Sequence, residues 1–365
     1  ADAEMYLDGL IGDDEDKERR QVYLESGPNV IDYLMERSEV KFSPCGRHPD
    51  YRNNVSGAAI EGRAIVAEVF DGRKLGADFE RVRPPIEEFM LFDGMMVAKE
   101  DVQFLLKRYQ SIKSFLRSSS IFVRYLVDRL KYQRGTRLTM GNALVARLFY
   151  SLRQQEVPIL YGSPVIELVF EDNHVKGAIL ENENGRKFIL ARKGIVFATG
   201  GFAHNKEFRR SLMPKPTPQY SMASNLNMGD GLKISQSLGA KIDDPSHKRS
   251  AFWSPVSITK RKDGSNGLYP HILLDRAKPG LIAVNSAGQR FVNEACSYHD
   301  FVEAMYRSNE VVDTIPAWLI CDATFVFKYG IGAIHPGTKN LKKYSDLGYI
   351  KTSNTVKGLA KILMI

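Results

Sequence analysis

Two small-residue clusters in this 365-residue chain could let backbone approach a phosphorylated ligand. Ala198-Thr199-Gly200-Gly201 closes the apolar run Gly194-Ile195-Val196-Phe197, so its amides would be offered at a strand end with little side chain in the way. On its residues alone the same turn serves equally as a plain tight turn. Gly330-Ile331-Gly332-Ala333-Ile334-His335 has two of the three glycines of GxGxxG, but it follows no clear strand and runs into Pro336-Gly337, so it reads as a loop. A complete dinucleotide fingerprint at a strand-to-helix turn is absent.

Metal and disulfide chemistry find little support. Cys45, Cys296 and Cys321 are odd in number, far apart and without a CxxC, which fits a reducing compartment better than a disulfide framework. The histidines at 48, 174, 204, 247, 271, 299 and 335 never adopt the i, i+4 spacing that pairs imidazoles on one helix face, so no metal site is expected. Net charge is +8, and its placement matters more than its sum. Residues 101–160 hold eleven Lys and Arg against Asp101, Asp128 and Glu156, so 11 − 3 accounts for the whole excess. Val102, Leu105, Tyr109, Ile112 and Leu116, then Phe122, Tyr125, Leu126 and Leu130, recur at helical spacing about a break expected at Ser118-Ser119-Ser120. A basic helical hairpin follows, either a solvated face or a contact for an anionic membrane surface. No RNP, zinc-knuckle or recognition-helix pattern accompanies the charge, so nucleic acid is not expected.

The elements that must position these residues are legible in part. Length predicts two domains, or one carrying an insertion. The first 45 residues read as helix interrupted at Gly27-Pro28, and residues 43–85 as a long loop of the kind that carries function. Residues 141–155 form an amphipathic helix leading into a short buried strand, Val157-Pro158-Ile159-Leu160. The runs 165–171, 175–181 and 187–198, joined by Asp172-Asn173-His174 and by Glu183-Asn184-Gly185-Arg186, predict a β-meander whose last strand enters the glycine pair. Asn227-Met228-Gly229-Asp230 supplies an Asp or Asn cap for the helix that follows, with Gly239 as its stop. Beyond residue 242, 271–274, 280–284 and 316–323 read as short strands and 352–365 as a capped helix.

The order LTMGNALVARLFYSL, VPILYGSPVIELVFEDNHVKGAIL, GIVFATGGFAHN, NMGDGLKISQSLGAKI and GQRFVNEA resembles the FAD-dependent fumarate reductase and succinate dehydrogenase flavoprotein superfamily over nearly the whole chain. HPDYRNNVSGAAIEGRAI and FVNEACSYHDF most resemble its 3-ketosteroid Δ1-dehydrogenase branch. The resemblance implies an α/β fold: an incomplete FAD-binding Rossmann-like domain with a β-meander over 1–242, interrupted by the basic helical insertion at about 98–134, and an α+β substrate-capping domain over 243–365. Ala at position 1 and the missing dinucleotide loop lead us to expect a segment of a longer flavoprotein. Carried over by position, the resemblance implies that Val165, Ala198, Thr199, Gly200, Gly201, Gly229, Asp230 and Gly231 meet FAD, although Asp230 could instead cap its helix.

The same resemblance implies the chemistry. Removing two hydrogens from adjacent carbons beside a ketone needs a base for the α-proton and flavin N5 for the hydride. Tyr298 and Tyr51 match the proton-abstracting pair of the steroid dehydrogenases, with His48 at the substrate and His299 as the alternative base. Tyrosine, with an ordinary pKa near about 10, can serve only if its phenolate and the enolate are both stabilised. Read without the resemblance, both tyrosines suit structural roles in their turns. The dicarboxylate branch instead places Arg four residues after the Glu of RFVNE and a second Arg after an IFD-like strand. This chain has Tyr298 at the first place and none at the second, while Arg290 and Glu294 equally suit a structural ion pair. The expectation is therefore FAD-dependent Δ1-dehydrogenation of a 3-ketosteroid-like, lipophilic small molecule with an unnamed electron acceptor. The alternatives are fumarate reductase-type or Δ4-ketosteroid chemistry, and a non-catalytic piece that holds no flavin. The acidic opening and the absence of an 18-residue apolar stretch lead to a cytoplasmic expectation, with peripheral membrane contact through the basic hairpin.

Overall fold

The computed structural model describes residues 2–12, 17–218, 220–242, 254–261, 263–272 and 275–365. They fall into two compact units that divide between Pro158 and Ile159.

The first unit opens with α1 (Asp2–Ile11) and α2 (Lys17–Arg37). The predicted interruption at Gly27-Pro28 does not occur: α2 runs through both, giving up the one bond that Pro28 cannot donate. Antiparallel β1 (Phe42–Pro44) and β2 (Ile65–Ala67) bracket the irregular 45–64 loop, and β3 (Phe70–Asp71) pairs with β4 (Arg137–Leu138). Between β3 and β4 lie a 3-10 segment, Gly72–Arg81, and the helices α3 (Lys99–Leu106) and α4 (Ile112–Arg129); α5 (Met140–Gln154) follows. Phe70, Leu75, Phe79, Val82, Met96, Leu138, Ala143 and Ala146 form the core, because α5 turns its two alanines onto the β3–β4 pair. The predicted break at Ser118-Ser119-Ser120 is also overturned. The chain turns instead at 107–111, and Ser118 lies buried inside a continuous α4, where small side chains allow close packing.

The second unit contains the predicted meander: β5 (Val165–Glu171), β6 (His174–Asn182) and β7 (Gly185–Leu190), antiparallel in sequential order. Asp172 and Asn173 take positive φ angles of 50° and 62°, the geometry a two-residue hairpin loop demands. In the second hairpin the loop is Glu183-Asn184, and Gly185 pairs with Asn182 rather than sitting in the turn. Two expected strands are absent. Residues 157–160 are irregular, and the apolar run 194–198 leaves the meander after Leu190, with Val196 90% exposed. Among the described residues no strand pairs with that run, so its hydrophobic composition does not make it part of a sheet.

Helices α6 (Lys206–Leu212) and α7 (Asp230–Ser237) follow, then the antiparallel pairs β8 (Val256–Lys260) with β9 (Asn266–Pro270) and β10 (Leu281–Val284) with β11 (Trp318–Cys321). The predicted strand at 271–274 is not formed at 271–272, and its last two residues lie outside the described ones. Helix α8 (Tyr298–Asn309) stands between β10 and β11, and α9 (Ala323–Tyr329), α10 (Lys342–Asp346) and α11 (Val356–Leu363) complete the chain. The last is capped by Thr355, whose hydroxyl accepts from the Gly358 amide. The architecture is mixed α/β with small antiparallel sheets.

Candidate active site

In the second unit the glycine turn and the Gly-Asp-Gly segment meet. Gly200 adopts φ +76°, and an added Cβ there would come within 2.6 Å of Asn227 Oδ1; at Gly231 it would come within 2.4 Å of Thr199 Oγ1. The Gly229 amide donates to the Gly201 carbonyl at 3.1 Å and the His204 amide to the Asn227 carbonyl at 3.0 Å. Buried Asn205 caps α6 through the amides of Glu207 and Phe208, and its Nδ2 donates to the Met228 carbonyl. Glycine is thus required because the side chains of Asn227 and Thr199 occupy the space a Cβ would take, and at Gly200 because φ is positive as well. The capping expectation for α7 is corrected: Gly229, in a left-handed conformation, is its N-cap, and Asp230 is the exposed first helical residue. Val165, half-buried, begins β5, which packs on α7.

This arrangement fits an FAD group. Ala198, Thr199, Gly200 and Gly201 are exposed, and no backbone hydrogen bond reaches their amides among the described residues. An added Cβ at Gly201 would meet nothing within 4 Å. Unclaimed amides beside an open glycine and a helix N-terminus are what a polar, partly anionic cofactor edge needs.

Tyr298 is built by a different set of contacts. It is the first residue of α8, half-buried, after Ser297, whose hydroxyl accepts from the Asp300 amide at 3.1 Å. The backbone leading to it is gripped by Arg276, which is fully buried. Its Nη1 donates to the carbonyls of Glu294 and Cys296, its Nε donates to the His271 carbonyl at 2.7 Å, and its guanidinium lies 5.0 Å from the Phe301 ring. Glu294 accepts the Ala283 amide from β10 at 2.8 Å and takes both Arg290 nitrogens, at 2.9 and 2.6 Å. Arg290 and Glu294 therefore hold the turn to the strand.

A strut also joins α8 to the glycine turn. Buried Arg209 on α6 donates to the carbonyls of Ala203 and Pro218, while Tyr306 of α8 donates to the Pro216 carbonyl at 3.0 Å.

Sequence reading missed the polar cluster beneath Arg276. His271 Nδ1 and Asp275 Oδ2 lie 2.6 Å apart, both buried, and the same oxygen accepts the Gly332 amide at 2.9 Å. Tyr349 hydrogen-bonds Ser257 at 2.7 Å and accepts the Ala333 amide at 2.9 Å. Burial pushes the Tyr269 phenol up to about 12 and the Cys321 thiol up to about 11. Burial also pushes Asp275 upward, but the His271 hydrogen bond and charge and the amides of Gly332 and Arg276 prevail and hold it below the ordinary carboxylate range. Two turns with no regular periodicity bring these groups together, so spacing offered no signal for them. A group whose folded pKa is depressed contributes stability that is fully present above its unfolded value and is lost as pH falls through the folded one. Asp275→Asn should therefore lower stability at neutral pH and flatten its decline on acidification. Urea midpoints measured from pH 7 to pH 3 check this, and a variant curve parallel to wild type would contradict it.

Tyr51 and His48 belong to the first unit. Tyr51 is 52% exposed in the 51–54 turn, and His48 is half-buried. Their loop is fixed by Asp50, which accepts from the Ala59 amide at 2.8 Å and from Arg63 at 2.7 Å, and by the Arg52 amide donating to the Tyr6 hydroxyl. Each tyrosine thus has a well-built local setting.

Known proteins resemble this chain over nearly its full length. A family model described as "FAD binding domain" matches residues 1–349. The 4-oxocyclohex-2-ene-1-carboxylate 5-dehydrogenase of Sinomonas cyclohexanicum is 31% identical over 98% of this chain and 61% of its own. The 3-oxosteroid 1-dehydrogenase of Mycolicibacterium smegmatis is 28% identical over 99% of this chain and 63% of its own. Among solved structures, 3-ketosteroid delta1-dehydrogenase from Sterolibacterium denitrificans, in complex with 1,4-androstadiene-3,17-dione, superposes with a TM-score of 0.85 at 28% identity. That match covers 99% of this chain and 65% of the other. The chain thus spans less than two thirds of the length of these relatives.

Proposed function

The chain belongs to the FAD binding domain family, and from that premise we propose that it serves a flavoprotein dehydrogenase that desaturates a ring bond beside a ketone. FAD is the cofactor of the family, and when bound it supplies the acceptor for a hydride and the electron pair it carries. Ala198, Thr199, Gly200 and Gly201 would hold it through backbone amides, with Val165, Gly229, Asp230 and Gly231 on the flanking strand and helix.

Tyr298 is the base in this reading. As its phenolate it takes the proton from the carbon next to the ketone, and the electrons of that C–H bond pass into the new double bond as the hydride leaves the neighbouring carbon for the acceptor that bound FAD would supply. The Arg276 grip on the preceding carbonyls keeps the phenol at a fixed height at the start of α8. Tyr51 is the second phenol of the reading and His48 its neighbour on the same loop; Tyr51→Phe tests that assignment separately. The domain division at 242/243 belongs to the same proposal.

The observation that carries this reading is the residue at the head of α8: an Arg-positioned phenol stands where dicarboxylate chemistry would need a cation. The relatives' names support it from another side, since an oxocyclohexene carboxylate and an oxosteroid share a ring ketone next to the bond attacked. Fumarate-type chemistry is disfavoured because Tyr298, not an arginine, stands four residues after Glu294, and Arg290 is engaged in an ion pair with Glu294.

Protein expressed from its whole gene should show bound-flavin absorbance and, with an artificial electron acceptor, oxidise 4-androstene-3,17-dione or an oxocyclohexene carboxylate. It should leave succinate untouched. Turnover of succinate alone, or a colourless protein that cannot be loaded with FAD, would overturn the reading.

A further inference from the structure

Helix α4 is folded with its polarity reversed. At about 100° per residue, Ile112, Leu116, Val123, Leu126, Val127 and Leu130 fall in one arc of roughly 100°. That arc points outward. Phe115 and Phe122 lie on its margin, and exposure across the stripe runs from 38% at Phe122 to 87% at Leu130. The face packed against the unit carries Ser114, Ser118, Ile121, Tyr125 and Asp128, all buried. A core-facing helix does the opposite, and a soluble surface rarely shows so long an apolar row.

The inward face explains how the reversal is held. Asp128 accepts from the Thr136 amide at 2.8 Å and from its hydroxyl at 2.7 Å. Asp101 of α3, 1% exposed, pairs with Arg117 at 3.0 Å and Arg137 at 2.6 Å. Each buried acid is tied to specific partners, Asp128 through Oδ2 and Asp101 through its two arginines, so the hairpin is anchored by polar contacts and leaves its hydrophobic side outside.

The charges that edge the stripe identify its occupant. Lys113 flanks one side and Arg129 the other, with Arg117 and Arg124 beside Lys113 but engaged by Asp101 at 3.0 Å and Asp71 at 2.8 Å, while exposed Lys107 and Arg108 occupy the turn between α3 and α4 and Lys131 follows α4. Acids between Lys99 and Lys131 number three, and of these Asp101 and Asp128 are buried, leaving Glu100. Tyr109, at the tip, is 83% exposed with the Arg108 guanidinium 4.6 Å from its ring, a pairing suited to the headgroup level. No described helix is long and apolar enough to cross a membrane. We infer that α4 lies in the plane of an anionic bilayer surface, with its apolar stripe among the acyl chains and its basic flanks on lipid phosphates.

Vesicle co-sedimentation of the full chain tests this. The probes are vesicles of phosphatidylcholine with one quarter phosphatidylglycerol, and of phosphatidylcholine alone. The expected result is binding to the anionic vesicles, weaker by about fivefold or more on neutral ones and similarly reduced by high salt. Val123→Asp with Leu126→Asp should cut the partition coefficient about tenfold or more while leaving the far-UV circular dichroism and thermal midpoint as they were, since both side chains are exposed. Lys113→Glu with Arg129→Glu should weaken binding to anionic vesicles only. The inference is overturned by absence of sedimentation with either vesicle, by binding that ignores the aspartates, or by a concentration-dependent dimer that the aspartates dissociate. The last result would make a second copy the cover of this face.

Discussion

Tyr298→Phe should lower kcat for ring-ketone dehydrogenation by about 10²–10⁴-fold, the usual contribution of a positioned proton acceptor. The change deletes one oxygen from the first residue of α8 and leaves Ser297, which caps the helix, and Arg276, which holds the preceding carbonyls, as they are. Folding should therefore shift by no more than about 1 kcal/mol, the ordinary worth of one hydrogen bond, and flavin absorbance should not change. Steady-state kinetics with a ring ketone and an artificial acceptor, with flavin content and thermal midpoint measured alongside, check the claim. His299 is adjacent on the same helix turn, so His299→Ala is the necessary companion. If the alanine variant collapses and the phenylalanine variant does not, the imidazole is the base and the phenol is structural.

Arg276→Met should be the most destabilising single change in the second unit. The side chain is fully buried, and its loss abandons the carbonyls of His271, Glu294 and Cys296 together with the contact over Phe301. Each buried carbonyl left without its donor costs about 1–3 kcal/mol, because the surrounding medium offers it no water. Urea denaturation should show that loss as a lower midpoint. A positioning role predicts more than instability. At low temperature, where the variant remains folded, kcat should fall while KM changes little, since Tyr298 is displaced but the substrate's other contacts are not. Arg276→Lys should keep the charge yet recover only part of either property, because an ammonium cannot span three carbonyls in the fixed geometry of a guanidinium. A variant with wild-type kcat across the folded range would reduce Arg276 to a stabilising residue.

Legibility in the sequence followed the kind of physics involved. The β5–β7 meander was readable because alternation and Asp-Asn turns are local signals, and α5 and α11 were readable from apolar spacing and caps. The 194–198 run misled for the opposite reason: hydrophobic composition announces a buried strand, but pairing depends on a neighbour that composition does not specify. Ser118 misled similarly, since three serines look like a break, whereas Ser118 alone of them is buried and α4 runs on through all three. The glycine turn was legible, while its zipper to 227–231 was not, because Asn227 and Thr199 bear on Gly200 and Gly231 only after the chain has folded. Arg276, Arg209, His271 and Asp275 carry much of the site's rigidity and left no periodic trace. A buried cation satisfied by distant carbonyls looks, in one dimension, like any surface arginine.

The Arg209 strut has a consequence of its own. One guanidinium braces both the segment beside the glycine turn and the segment on which Tyr306 leans, so errors in the two places cannot accumulate separately. Whatever drift one side undergoes, the other must inherit as a tilt. Natural variation near residue 203 should accordingly be mirrored by compensating variation along the outer turns of α8, and engineering that reshapes one of these neighbourhoods will have to reshape both.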